Sequence, residues 1–280
     1  MSELEALLLG IVQGLTEFLP ISSSGHLIIV PWLQDYTFLL ENEEFNKTFD
    51  VALHAGTLVA AIAYFRREVV VLTRGFLEAV RRRAVETPDQ RVSVAIAIGT
   101  VPAVIAGGIG SGFIDEHLGE PWMIALQLIL FGALLGWADK LPQRRSLGDS
   151  TLRDGLYIGL AQVLALAPGT SRSGITITAA RYLGLDRDSA ARFSFLLLIP
   201  IVAGATLFKG AGAVAEGLPD GVLGPMIVGT LAAAVSGYLA IAFLLRLVRT
   251  MSYLPFVYYR YAAGAAILLI IATGLRPATF

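Results

Sequence analysis

The sequence contains no cysteine. That excludes disulfides, thiolate nucleophiles and thiolate-held metals, and it leaves the redox compartment unread. Charge is scarce. Asp, Glu, Lys and Arg make up 15% of the 280 residues, against about 25% in a typical soluble domain. The formal net charge is −1, which argues against nucleic acid as a partner. The stretch MSELEALLLG carries Glu3 and Glu5 where a secretory signal is basic, so no cleavable signal is expected.

What is abundant is apolar sequence. Hydrophobic residues make up 55% of the chain, and the mean hydropathy is +0.70. Residues 92–112, 121–138, 193–208, 222–245 and 261–275 hold no charge. Apolar runs of roughly 17–25 residues are long enough to cross a bilayer as helices. VALHAGTLVAAIAYF (51–65) is shorter but extends upstream through Thr48 and Phe49. The chain reads as an all-α polytopic membrane protein.

Two apolar segments are too short to cross. The first runs from about Leu4 to Leu19 and is stopped by Pro20. As a helix it reaches roughly 24 Å, less than the roughly 30 Å hydrocarbon core. The second, LYIGLAQVLALA (156–167), is stopped by Pro168. Both end in a knot of Ser, Gly and Thr, and apolar residues resume after each knot. Broken helices of this kind are tolerated in a bilayer only inside protein or along a cavity. Both segments are therefore expected to be re-entrant hairpins, over about 4–33 and 156–180.

The two segments resemble each other. GIVQGLTEFLPISSSGH and GLAQVLALAPGTSRSGI share a glycine, a glutamine three residues on (Gln13, Gln162), a proline and Ser-x-Ser-Gly, with one single-residue offset. Interrupted hydrophobic segments at matching places in two halves point to a site between inverted repeats. The predicted halves are 1–138 and 139–280 within one membrane domain.

Charge placement gives the orientation. The stretch 66–91, read as a loop, holds seven arginines, and 139–155, 181–192 and 246–255 are also basic. The stretches 34–47, 114–121 and 209–221 are acidic or nearly uncharged. The positive-inside rule then puts both termini outside and the basic stretches inside. The predicted fold is six transmembrane helices plus two opposed re-entrant helical hairpins in an inverted repeat. Trp32, Trp122, Tyr253, Tyr258 and Tyr259 fall near span ends, where aromatic belts occur.

The polar knots carry the chemistry. Gln13 and Glu17 are four residues apart and so share one helix face. A carboxylate in mid-membrane is costly, by about 2.5–3.5 kcal/mol on insertion scales, and usually faces a polar cavity. Ser22, Ser23, Ser24, Gly25 and His26 follow. Ser/Gly-rich turns offer backbone N–H groups to anions. The second knot offers Arg172 between Ser171 and Ser173, then Gly174, Thr176 and Thr178. Arginine suits fork-like contact with phosphate. Alone, His26 reads as a capping or core histidine. As a set, the residues suit phosphoryl chemistry on a membrane-dissolved substrate. His54 is a second candidate lining group and equally a structural one.

QGLTE (13–17) with FLPISSSGH (18–26), and PGTSRSGIT (168–176), resemble the motifs of the undecaprenyl-pyrophosphate phosphatase family of the bacitracin-resistance type. The resemblance covers the whole chain. It implies hydrolysis of a polyprenyl diphosphate to the monophosphate, recycling of the lipid carrier for cell-wall sugars, and bacitracin resistance. By residue, it implies catalytic roles for Glu17, Ser23, His26 and Arg172. It implies substrate contacts from Gln13, Ser22, Ser171 and Thr176, and the N–H groups around Ser171 to Gly174, with Ser173, are expected to add to them. A divalent cation, Mg²⁺ or Ca²⁺, is implied at Glu17. Gln13 stands where many members have a second glutamate. SSSGH alone also matches part of the phosphatidate phosphatase type 2 pattern, but no histidine follows Ser171-Arg172 as that pattern requires. A plasma-membrane location is expected, with the site open to the outer side, and a homodimer is compatible with the sequence. Inverted repeats are also transporter architecture, so a polyprenyl-phosphate flippase is the alternative. The attacking group is left open between Ser23, activated by Glu17 or by His26 one helical turn away, and a water activated by the metal and Glu17.

Overall fold

The computed structural model describes residues 1–36, 38–39, 42–216 and 221–279. Among them are eleven α-helices and no strand. In chain order they are α1 (Glu3–Phe18), α2 (Ser23–Gln34), α3 (Glu43–Tyr64), α4 (Arg66–Arg82), α5 (Pro88–His117) and α6 (Pro121–Asp139), then α7 (Leu152–Val163), α8 (Arg172–Tyr182), α9 (Arg187–Glu216), α10 (Leu223–Leu247) and α11 (Leu254–Ala272). Helices α5, α6, α9, α10 and α11 are each long and apolar enough to cross a membrane, and α3 with α4 makes a sixth candidate bent by 85°. The chain is thus a polytopic helical membrane protein. Positions 37, 40 and 41 of the expected outer stretch 34–47, and 217–220 of the expected stretch 209–221, lie outside the described residues.

Three boundaries differ from expectation. Residues 66–82 are a helix rather than loop. Its arginines alternate with Val70, Val71, Phe76, Leu77 and Val80, which stay exposed. That is the composition of an amphipathic helix suited to a membrane interface. Helix α5 continues to His117, so the expected loop 114–121 shrinks to its last residues. Helix α7 begins at Leu152 rather than near residue 156, because Thr151 and Asp154 form a reciprocal capping box. Asp154 also pairs with Arg145, at 2.5 and 3.1 Å.

The two breaks have the same local structure. Pro20 disfavours helix at the residue before it, and Leu19 is extended at ψ 140°. The chain then turns through Ser22 at φ 78°, ψ 98°, and Ser171 adopts φ 74°, ψ 112° at the second break. Positive φ is sparsely populated by non-glycine residues, and held outliers gather at functional sites. Each serine caps the helix that follows. Ser22 Oγ accepts from Gly25 N–H and Ser171 Oγ from Gly174 N–H.

The short helices are inserted by close backbone contact. Helix α1 packs on α10, and α7 packs on α5. Gly10 faces the carbonyl of Gly229, and Gly159 faces that of Gly99, so closely that a Cβ at either would meet backbone. Small residues at helix interfaces permit such approach in membranes. Each short helix is therefore gripped by a helix far from it in the chain. Phe18, at the end of α1, stacks edge-on against Phe195 of α9, with centroids 5.3 Å apart.

The belt expectation fails for two aromatics. Trp32 is buried against Ile29, Ile124 and Ile267. Tyr253 is fully buried and donates to the Arg187 carbonyl at 2.9 Å. Around it, Asp139 accepts from Arg187 Nε at 2.6 Å and from Tyr253 N–H at 3.0 Å. This network ties the ends of α6, α9 and α11 together.

Candidate active site

The breaks bring the two knots face to face. Ser22 Oγ accepts from the N–H of Gly169 at 3.1 Å, and Ser173 Oγ donates to the carbonyl of Leu19 at 3.1 Å. Helices α2 and α8 therefore start beside each other. The first N–H groups of a helix lack intrahelical partners, and its N-terminus carries partial positive charge, a combination that favours anions.

Because α1 stops at Phe18, Glu17 lies in its last turn, next to the start of α2. The carboxylate is buried. One oxygen, Oε1, accepts from Arg172 Nη2 at 3.0 Å. The other, Oε2, accepts from Ser23 Oγ at 2.5 Å and from Gln13 Nε2 at 3.1 Å. His54 Nε2 stands 3.7 Å from the same oxygen, while its Nδ1 lies 2.7 Å from the carbonyl of Asp50. Arg172 also donates through Nη1 to the Ser194 carbonyl at 3.1 Å. It is thus held inside the protein rather than reaching for an interface. The structure brings Gln13, Glu17, Ser23 and Arg172 into one cluster, with His54 at its edge.

His26 is turned away from that cluster. Its Nδ1 lies 2.6 Å from the carbonyl of Ser22, four residues back, and its Nε2 lies 2.7 Å from the hydroxyl of Tyr259. A carbonyl can only accept, so Nδ1 carries the proton. The expected contact between His26 and Ser23 across one helical turn is not made, because the ring bonds back to its own helix start. The base beside Ser23 is Glu17.

Several expected substrate contacts are engaged within the protein. Ser22 and Ser171 are buried N-caps, and the Gly174 N–H is held by Ser171. Ser173 spans the two breaks, and Thr176 Oγ1 donates to the Arg172 carbonyl at 2.7 Å and lies 2.7 Å from Ser194 Oγ. These groups shape the site.

Arg260 and Tyr259 on α11, and Ser194 on α9, were not expected here. Arg260 is fully buried. It donates to the carbonyls of Pro20, Gln127, Leu128, Gly169 and Thr170, over 2.9–3.2 Å. It thereby clamps both breaks to α6 and α11 and adds positive charge behind them. Its signal was available, since it is the lone charge between Leu254 and Leu275.

Two buried polar atoms in the cluster have no hydrogen-bond partner, Gln13 Oε1 and Arg172 Nε. An unmade bond of this kind costs on the order of 1–3 kcal/mol. The first suits a cation or a donor, the second an anionic oxygen. No group of three His, Asp or Glu side chains that could hold a metal occurs among the described residues. Glu17 with the Gln13 amide oxygen still makes a hard oxygen pair. Mg²⁺ is commonly held by one or two carboxylates plus substrate phosphates, so the residues fit such an ion once phosphate oxygens complete its shell.

Residues 6–266 match the family model for the bacitracin resistance protein BacA. The chain is 47% identical to a protein of Pelobacter propionicus named undecaprenyl-diphosphatase, over 98% of this chain and 99% of that one. A protein of Geobacter sulfurreducens with the same name is 50% identical, over 96% and 98% of the two chains. A third, from Thermomicrobium roseum, is 46% identical over 96% and 98%.

Proposed function

Because the chain belongs to the bacitracin resistance protein BacA family, we infer that it is an undecaprenyl-diphosphatase. It hydrolyses undecaprenyl diphosphate to the monophosphate and inorganic phosphate, and by recycling this lipid carrier for the cell wall it confers resistance to bacitracin. The observation that carries the chemistry is the 2.5 Å contact between Ser23 Oγ and Glu17 Oε2. A serine hydroxyl becomes a competent nucleophile when a base lies within hydrogen-bond reach.

The terminal phosphate sits at the N-termini of α2 and α8 and takes the Arg172 Nε–H. Arg172 stabilises the charge that spreads over its oxygens during transfer. Glu17 removes the Ser23 proton as Ser23 Oγ attacks the terminal phosphorus. The Oγ–P bond forms, the bridging P–O bond breaks, and the lipid monophosphate leaves with the proton that Glu17 took from Ser23, which returns Glu17 to its carboxylate form. Water then attacks phosphoserine, losing its proton to Glu17, and the Oγ–P bond breaks to release phosphate. A divalent cation held by Glu17 and the Gln13 amide oxygen, when bound, neutralises phosphate charge.

In the same reading the chain forms six spans and two opposed hairpins in an inverted repeat over 1–138 and 139–280. The equal backbone turns at Ser22 and Ser171 and the reciprocal packing of α1 and α7 support it. The termini lie outside and the site opens outward in the plasma membrane. Single cysteines replacing Glu43 and Arg82 should label with an impermeant reagent from opposite sides; labelling from one side would sink this topology.

The activity is tested by phosphate release from C55 diphosphate by purified protein in detergent, with and without EDTA. Release that EDTA abolishes and Mg²⁺ or Ca²⁺ restores is expected. Transport needs compartments and hydrolysis does not, so absence of release in detergent with metal present would favour a flippase.

A further inference from the structure

Tyr259 lies roughly 8 Å along α11 from its first residue, at 1.5 Å per residue, inside a candidate span. It is 44% exposed. Glu17, by contrast, is 5% exposed. A phenol hydroxyl in hydrocarbon is costly without a partner. Here the partner is His26 Nε2 at 2.7 Å, and the rings stack with centroids 5.7 Å apart and planes 17° from parallel. The contact joins residues 233 positions apart. The Ser22 carbonyl fixes the proton of the neutral ring on Nδ1. Nε2 is therefore an acceptor in the neutral ring and a donor in the charged one. A hydroxyl is the side-chain group that satisfies both states, since it both donates and accepts.

We propose that Tyr259 is a positioning residue for the hydrolysis. It holds the His26 ring with Nε2 toward the side on which Tyr259 is exposed, apart from the Glu17–Ser23 pair, so that the phosphate next to the lipid tail meets a pre-oriented Nε2 on taking the place of the hydroxyl. The tail enters from the side on which Tyr259 is exposed, and the terminal phosphate reaches inward to Ser23 and Arg172. This division gives His26 a role that its hydrogen bonds to Ser22 and Tyr259, rather than to Ser23, leave unassigned. The proposal rests on the diphosphatase reading above.

The test is a double-variant cycle of Y259F and H26N, read as kcat/KM for phosphate release from C55 diphosphate. Phe keeps the ring stack and removes one oxygen. Asn retains a group able to reach the Ser22 carbonyl and lacks Nε2. Y259F should lower kcat/KM by about tenfold, the scale of one lost hydrogen bond. In the H26N background the same change should have less than about a twofold effect, because coupled residues are non-additive. Equal rates for Y259F and wild type would overturn the proposal, as would losses that simply multiply in the double variant.

A second readout does not depend on turnover. Carbethoxylation of His26, followed by peptide mass spectrometry, should be several-fold faster in Y259F, with His54 in the same molecule unchanged. Faster labelling of both histidines would mean general loosening and would overturn the positioning role. Unchanged labelling of His26 would do the same. If wild type releases no phosphate, the diphosphatase reading fails, and the labelling alone decides whether Tyr259 positions His26.

Discussion

The two breaks share a backbone and differ in chemistry. Ser22 and Ser171 turn through nearly the same φ and ψ, and each caps a glycine three residues on. At matching places, however, the first hairpin has Glu17, Ser23 and His26, and the second has Leu166, Arg172 and Ile175. One scaffold is used twice, once to carry a carboxylate and a hydroxyl and once to carry a guanidinium. Burial explains why neither half suffices. Glu17 is 5% exposed and Arg172 14%, and a buried charge is tolerated when it is paired. Glu17 near the first break and Arg172 at the second supply each other's counter-charge.

The comparison can be broken most severely by giving hairpin 1 the residue of hairpin 2. E17L removes the base beside Ser23 and leaves Arg172 buried without its carboxylate. Phosphate release should fall by more than about a thousandfold, and removing one partner of a buried pair should cost about 3–5 kcal/mol of stability. Normal melting with normal turnover would mean that the two hairpins do not depend on each other.

A milder change keeps the charge on hairpin 2 and alters its shape. R172K loses the planar fork that reaches Glu17 and the Ser194 carbonyl together. Turnover should drop by well over tenfold, above roughly 1.4 kcal/mol of transition-state stabilisation. Near-wild-type rates would reduce Arg172 to a counter-charge.

The far ends of α2 and α8 extend the comparison to the smallest effects. Helix α8 ends on Arg181, which is fully buried and donates to the carbonyls of Leu185, Asp139 and Leu141. Helix α2 ends on Asp35, which pairs with Arg276 at the surface. R181M should lower the melting temperature clearly, with a loss of about 3 kcal/mol from orphaned carbonyls. R276M should change it little, as exposed pairs contribute weakly. The Arg276 guanidinium holds the Asp35 carboxyl below its usual range. A lowered carboxylate pKa stabilises above the ordinary aspartate range and loses that contribution as pH falls through the lowered value. Any difference between wild type and R276M should therefore vanish in acid, and a difference that grows there would contradict the pairing.

Much of this arrangement is legible in the chain. Pro20 and Pro168 mark both breaks, the shared Gln and Ser-x-Ser-Gly mark their local likeness, and the four-residue spacing of Gln13 and Glu17 places them on one face. What is not legible comes from distant parts of the chain. Tyr259 and Arg260 reach hairpin 1 from 233 and 240 residues away, and no local pattern announces such contacts. The partner of Ser23 was obscured for a different reason. The sequence leaves His26 and Glu17 both open as its base, but the Ser22 carbonyl captures the His26 Nδ1, and the break folds Glu17 back onto the start of α2. Helix α4 was masked by its arginines, which read as a loop because charge density alone does not reveal an amphipathic face.

The central claim is that Ser23, activated by Glu17, is the group that takes the phosphoryl. The direct measurement is turnover with label in the terminal phosphate of the lipid substrate, quenched in acid and analysed for protein-bound phosphate. Phosphoserine survives acid. Wild type should carry stable label on Ser23, and S23A should lose both the label and the activity. An S23A protein that keeps even a tenth of wild-type turnover, with no label on Ser23 in the wild type, would contradict the account and leave water as the attacking group.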